Sequence, residues 1–300
     1  MWCFKEKYVL FISFFLLFSL SIFSQNKESS NKIDNSEKSY FSIGMNYNND
    51  AIFMGRKDSI AAPYLYTTLM YKHKTGIYAS GSFSFLTKQD ENTIDLYLFS
   101  SGYNFFKNNF YGDISVSAYY FNEHSSNIIS KVIADLTAQL QYDFSFINLG
   151  MIASVYFNDN RNSDFYLSPQ ISHDIITKNN KFQFSPTFSM NCGSQNFHQE
   201  FIRKYKAGSS YGSHDRDNGN GDGGTAEIIT EITIEESERF KVMAYELSLS
   251  AWYIGKSYSI FFNPSLSFPQ NEATIVVDER VEKENLETSF NWLIGFNYKF

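Results

Sequence analysis

The feature that most constrains this chain is alternation with a period of two. Reading back from the C-terminus, Phe300, Tyr298, Phe296, Ile294, Trp292 and Phe290 are all large and apolar. Lys299, Asn297, Gly295, Leu293 and Asn291 lie between them and are mostly small or polar. A strand sends successive side chains to opposite faces, so these eleven residues form a strand with one apolar and one polar face. The pattern is sharper still upstream. Val132, Ala134, Leu136, Ala138, Leu140, Tyr142 and Phe144 alternate with Lys131, Asp135, Thr137, Gln139, Gln141 and Asp143. A helix would spread those charges round its whole surface, whereas a strand segregates them.

From Ser39 onward the alternation recurs twelve times, over about 41–47, 63–71, 77–85, 93–105, 111–120, 131–144, 147–157, 165–175, 182–192, 243–253, 258–268 and 290–300. Met243 begins the tenth apolar series, and Val132 the sixth. In the fourth, Ile94, Leu96 and Leu98 share a parity that breaks near Phe99–Ser101, which predicts a β-bulge there. Pro169, Pro186 and Pro264 sit on the apolar parity of their strands; proline has no N–H to donate, so gaps or bulges in the ladder are expected beside them.

The connections alternate as well. His73-Lys74-Thr75, Lys107-Asn108, the corner Phe144–Phe146, Lys178-Asn179-Asn180 and Gly255-Lys256 are short, and the intervening connections are longer. Short turns at one end and long loops at the other, with an even number of strands about 9–14 residues long, predict an all-β, transmembrane, antiparallel up-and-down barrel of about twelve strands. The terminal strand, with Trp292, Ile294, Phe296, Tyr298 and Phe300 on one parity, resembles the C-terminal assembly signal of outer-membrane β-barrels of Gram-negative bacteria. That resemblance covers residues 39–300 as architecture and implies outer-membrane lipid and the barrel-assembly machinery as partners. It implies no substrate.

Composition agrees with this reading. Aromatic residues make up 18% of the chain, with 31 Phe and 21 Tyr, yet the average residue is slightly polar, because only alternate positions of a barrel wall touch lipid. The net charge is −7 and no basic patch stands out, which argues against a nucleic-acid partner. Residues 1–24 pair Lys5 and Lys7 with an apolar run and small residues near Ser24, the pattern of a secretory signal peptide. Residues 25–38 have almost no apolar content and are expected to form a disordered periplasmic leader. With Cys3 in the expected signal peptide, Cys192 stands alone, so neither a disulfide nor a cysteine metal cluster is expected.

Two surfaces are candidates for function. The inward parity of the strands collects Asp95, Asp113, Lys131, Asp135, Asp143, Glu246 and Lys299 among many hydroxyl and amide side chains. An open lumen with that balance favours cations or neutral solutes over anions. Inward Tyr64, Tyr66, Tyr78, Tyr111, Tyr119 and Tyr166 are bulky enough to narrow or close it, which leaves a structural or surface-binding barrel as the alternative. The second surface is the pair of long loops at about 194–239 and 269–287, which offer an extracellular ligand site. Asp215-Arg216-Asp217 with its following Gly and Asp residues fails the EF-hand spacing, because the twelfth position is Ala226, so no metal or other cofactor is expected. Within the first loop, Ile228–Ile234 alternates and predicts a strand above the membrane, and the charge run after Glu272 predicts a solvated face. His173 and Asp174 are strand neighbours that point to opposite faces, and no outward serine accompanies His173; the sequence predicts no enzyme.

Overall fold

A strand with one apolar face still needs backbone partners along both edges, and in lipid only a closed sheet supplies them all. The computed structural model shows the closure. It describes residues 38–57, 63–87, 94–123, 125, 129, 131–159, 163–196, 232–277 and 280–300. The expected signal peptide and nearly all of the leader lie outside the described residues, as does most of the loop at 194–239.

Among the described residues sixteen strands run in order: β1 (Tyr40–Asn48), β2 (Tyr64–Lys72), β3 (Ile77–Leu86), β4 (Ile94–Lys107), β5 (Phe110–Phe121), β6 (Val132–Asp143), β7 (Asn148–Asn158), β8 (Ser163–Ser172), β9 (Ile175–Ile176), β10 (Phe182–Gly193), β11 (Ile232–Ile234), β12 (Lys241–Ile254), β13 (Tyr258–Pro269), β14 (Thr274–Val277), β15 (Arg280–Lys283) and β16 (Ser289–Lys299). Each wall strand pairs antiparallel with the next, and β16 pairs with β1 to close the ring. The wall consists of β1–β8, β10, β12, β13 and β16, with β9 a short continuation beyond β8. The twelve-stranded up-and-down barrel predicted from alternation is the fold. Its last strand seals it: Met45 lies opposite Phe296 and Tyr47 opposite Ile294, and the Phe300 N–H donates to Phe41 O at 2.9 Å.

The outer face is apolar all round. Leu69, Phe99, Ile114, Val116, Leu140, Leu247 and Phe296 are exposed there, as are Phe290, Ile294, Tyr298 and Phe300 of the terminal strand. Trp292 on the same parity packs its ring against Tyr47 and Phe262, with centroids 5.4 and 6.1 Å away. Several inward aromatics lie flat across a glycine of the next strand: Tyr78 opposite Gly102, Tyr166 opposite Gly193 and Phe261 opposite Gly295. A Cβ at Gly102 would sit 2.6 Å from the Tyr78 ring and one at Gly193 2.3 Å from the Tyr166 ring, so these rings occupy the space a side chain would take.

The short turns use residues that tolerate positive φ: Gly76 (φ 99°), Asn108 (54°), Ser145 (71°) and Asn180 (54°). Turns of this kind face the periplasm in outer-membrane barrels, so the long connections mark the extracellular end. The prolines interrupt the ladder on one side only. The β8–β10 pairing is broken beside Pro169 and again beside Pro186, and the β12–β13 pairing is broken beside Pro264, while register is kept on either side of each gap.

Three expectations need correction, all at the extracellular end. The phase change in β4 falls at Asp95, where the β3 register shifts between Ser84 and Phe85, and not near Phe99–Ser101. Tyr97 and Phe99 therefore face lipid, while Leu96 and Leu98 face the lumen opposite Phe121 and Tyr119. Val132 and Met243 also point inward, 1% and 0% exposed, because register shifts at Ile133 and next to Met243 reverse the parity there. The physical reason is common to these parity changes. At this end Leu96, Val132 and Met243 turn into the lumen among polar neighbours, so an apolar side chain there does not mark the lipid side. The last long loop is not wholly a solvated face either. β14 and β15 form a hairpin that β11 joins at β14, burying Ile234, Ala273 and Ile275.

Candidate functional site: the lumen and its extracellular mouth

A two-residue hairpin tip of the type I′ class needs positive φ at both central positions, and the first long loop supplies one. Phe53 and Arg56 exchange both backbone hydrogen bonds, at 2.8 and 2.9 Å, around Met54 (φ 51°) and Gly55 (φ 79°). The tip rests on the wall at β12 and β13. A Cβ at Gly55 would come within 2.8 Å of the Ala244 Cβ and 3.1 Å of Pro269, so glycine is needed both for the φ and for the fit.

The tip is fixed by a buried charge. The Arg56 guanidinium is 1% exposed and its Nε lies 3.1 Å from the Glu284 carboxylate, itself 10% exposed. It also donates to the carbonyls of Met243 (3.2 Å), Gln270 (3.2 Å) and Asn271 (3.1 Å). The Gln195 amide, oriented with its oxygen toward the guanidinium, accepts at 2.6 and 3.1 Å. Burial pulls the Arg56 pKa below the ordinary arginine value, and the opposing charge of Glu284 pulls it back up. One residue thus ties the first loop to the β12–β13 wall, to the last loop and to the start of the 194–239 loop.

Beneath the tip lies an apolar cluster. Phe53 stacks on Tyr156 at 5.4 Å and meets Tyr166 edge-on at 5.2 Å. Val132, Tyr166 and Met243 form its buried centre, with Met54, Tyr119 and Ile129 packed around them. These residues come from strands on both sides of the ring, so the cluster crosses the mouth.

Below the mouth the lumen is polar, and its carboxylates have different fates. Asp95 is buried and accepts from Tyr64 Oη and Ser125 Oγ, both at 2.8 Å. Asp113 accepts from Tyr78 Oη at 3.1 Å, and Asp135 from Tyr119 Oη at 2.9 Å and Thr137 Oγ1 at 2.7 Å. Each of these three is held by an inward tyrosine on a neighbouring part of the wall. Asp143 caps the β6–β7 turn by accepting from the Ser145 N–H at 2.6 Å. Lys131 sits at the extracellular rim, 3.3 Å from Asp159, and Lys299 at the periplasmic rim, its ammonium 3.9 Å from the Tyr40 ring centre. Glu246 differs from the rest: among the described residues it has no hydrogen bond or ion pair.

Alternation gave no hint of Arg56, which lies in a loop, nor of Asp164. Asp164 is 0% exposed and accepts from Asn158 Nδ2 (2.8 Å), Ser194 Oγ (2.6 Å) and the Asn196 N–H (2.8 Å). It joins the top of β7 to the start of the long loop. His173 and Asp174, between β8 and β9, take different partners. His173 Nδ1 lies 2.8 Å from Phe146 O, while Asp174 accepts from Asn148 at 3.0 Å and Ser185 at 2.5 Å.

The closed, edge-free wall with an apolar outer face is the architecture of an outer-membrane β-barrel. No protein-family model matches the sequence, and no curated protein does. Among solved structures the chain is similar to the KdgM porin, with 8% identity, a TM-score of 0.46, and coverage of 86% of this chain and 99% of that one. It is similar to the NanC porin at 9% identity and a TM-score of 0.45, covering 87% and 100%. An anion-selective porin from Comamonas acidovorans follows at 7% identity and a TM-score of 0.32, covering 87% and 98%. At such identities sequence carries no substrate across.

Proposed function

We propose that this protein is a passive outer-membrane channel for small cations or neutral solutes, with the polar lumen as its path and the Phe53–Arg56 tip as its constriction. The observation that carries this reading is the polar inward face of the wall, on which Asp113, Gln139, Gln141 and Glu246 stay partly open to solvent. A barrel filled for support alone would enclose such groups and pair them internally, whereas a water-filled lumen hydrates them. The carboxylates at Asp95, Asp113, Asp135 and Glu246 keep that interior negative. Insertion by the barrel-assembly machinery through the Trp292–Phe300 parity belongs to the same proposal.

The test is single-channel recording of the refolded protein in a planar bilayer. Small discrete steps with cation preference are expected. Gly55→Val should lift the tip from Ala244 and raise the unit conductance. A silent membrane, with insertion verified by heat-modifiable gel mobility, rejects the channel. It would favour the second reading, a closed barrel that binds a ligand through its extracellular loops. The apolar cluster across the mouth and the β11–β14–β15 sheet are the observations behind that reading.

A further inference from the structure

Most lumen carboxylates are committed to the wall, and one is not. Asp95, Asp113 and Asp135 each accept from a tyrosine hydroxyl, and Asp143 caps a turn. Glu246 faces the lumen from β12 and is only partly exposed, with no partner among the described residues. Its surroundings are specific. Ser189 of β10 and Ser267 of β13 lie directly opposite it on either side, and Ser289 of β16 lies directly opposite Ser267. These four form one cross-strand row on the lumen side, with adjacent Cβ atoms about 4.5–5.5 Å apart. Independently of Glu246, the hydroxyls of Ser267 and Ser289 are enclosed, 1% and 2% exposed, and have no hydrogen-bond partner. Arg56 bonds Met243 O three residues away, but its charge is met by Glu284.

We propose that Glu246, with the hydroxyls of its cross-strand neighbours Ser189 and Ser267 and with Ser289 next to Ser267, is a lumenal binding site for a single positive charge, either an alkali cation or the ammonium head of a small amine. The inference rests on the lumen being a solute path. One carboxylate neutralises one charge, and each hydroxyl offers lone pairs to the cation while its proton turns to the carboxylate. The donor set is all oxygen, which suits a hard cation and not a soft transition metal. One carboxylate is also few for a divalent ion, whose sites gather several. The row lies just under the mouth, so an entering solute meets it after passing the tip.

Two readouts separate failure of the site from failure of the channel. The first is the reversal potential under a tenfold salt gradient, run with potassium chloride and again with methylammonium chloride. Glu246→Gln is expected to lower the cation-to-anion permeability ratio by about threefold or more, and Asp113→Asn, whose carboxylate is tied to Tyr78, by less. The second needs no conduction. The temperature at which the barrel loses its heat-modifiable gel mobility is measured in sodium, potassium, methylammonium and N-methylglucamine chloride at equal ionic strength. A rise with the small cations is expected in the wild type and is lost in Glu246→Gln and in the Ser267→Ala, Ser289→Ala double variant. The larger rise, alkali or methylammonium, identifies which of the two cations the site takes. A silent bilayer with this shift intact keeps the site and rejects the pore. A conducting barrel in which Glu246→Gln changes neither readout keeps the pore and overturns the site.

Discussion

Arg56→Met is expected to destabilise the folded barrel by about 3–5 kcal/mol, the cost of removing one member of a buried ion pair. Methionine keeps the length of the side chain but not the charge. Glu284 is then left buried at 10% exposure without its cation, and the carbonyls of Met243, Gln270 and Asn271 each lose a donor. Those losses are desolvation penalties, which exceed the net value of the bonds themselves. The double variant Arg56→Met, Glu284→Leu should recover much of the loss, because replacing both members of a buried pair with apolar groups removes the uncompensated charge. Urea unfolding in detergent micelles, followed by heat-modifiable mobility, measures the wild type, Arg56→Met, Glu284→Leu and the double variant, and so closes the double-mutant cycle. Freed from its tether the Phe53–Arg56 tip should also leave the mouth, so the single variant should conduct more than the wild type. A loss below 1 kcal/mol would show that Arg56 does not hold the tip.

The wall was readable because each of its strands repeats one simple physical demand. Lipid requires apolar residues at every second position, and Val116, Leu140 and Ile294 meet that demand in strands far apart in the chain. The turns were readable for a similar reason: Asn108 and Asn180 tolerate the positive φ a tight reversal needs. Legibility ended where apolar side chains turn into the lumen. Val132 and Met243 look like lipid-facing residues until the register shifts beside them are known, and no local residue announces those shifts. Nor could the candidate site be ranked from composition. Alternation placed Asp113, Asp135 and Glu246 on one parity, but only the packing of Tyr78 and Tyr119 against the first two sets the third apart. Arg56 was invisible for a different reason. Its partners Met243, Gln270 and Glu284 lie more than 180 residues away, and loops carry no periodic signal.

The same period-two logic yields the other large effect. Val116→Arg, near the middle of β5 with its side chain on the lipid face, should cost about 2–4 kcal/mol, the penalty for an arginine at the midplane of a barrel wall. Ser117→Arg, one residue along, should cost much less, because that side chain enters the lumen directly opposite Asp135 and exchanges one hydroxyl bond to Ser100 for a neighbouring carboxylate. The pair controls for chemistry: the introduced group is identical and the backbone position moves by one residue. Reversible unfolding in lipid vesicles measures both. Equal losses would mean that the two faces of β5 see the same medium, which a membrane-spanning wall around a polar lumen does not allow. The lumen variant has a second consequence. An arginine beside Asp135 offsets one of the fixed negative charges below the mouth, so it should weaken cation preference in the bilayer while leaving the barrel folded.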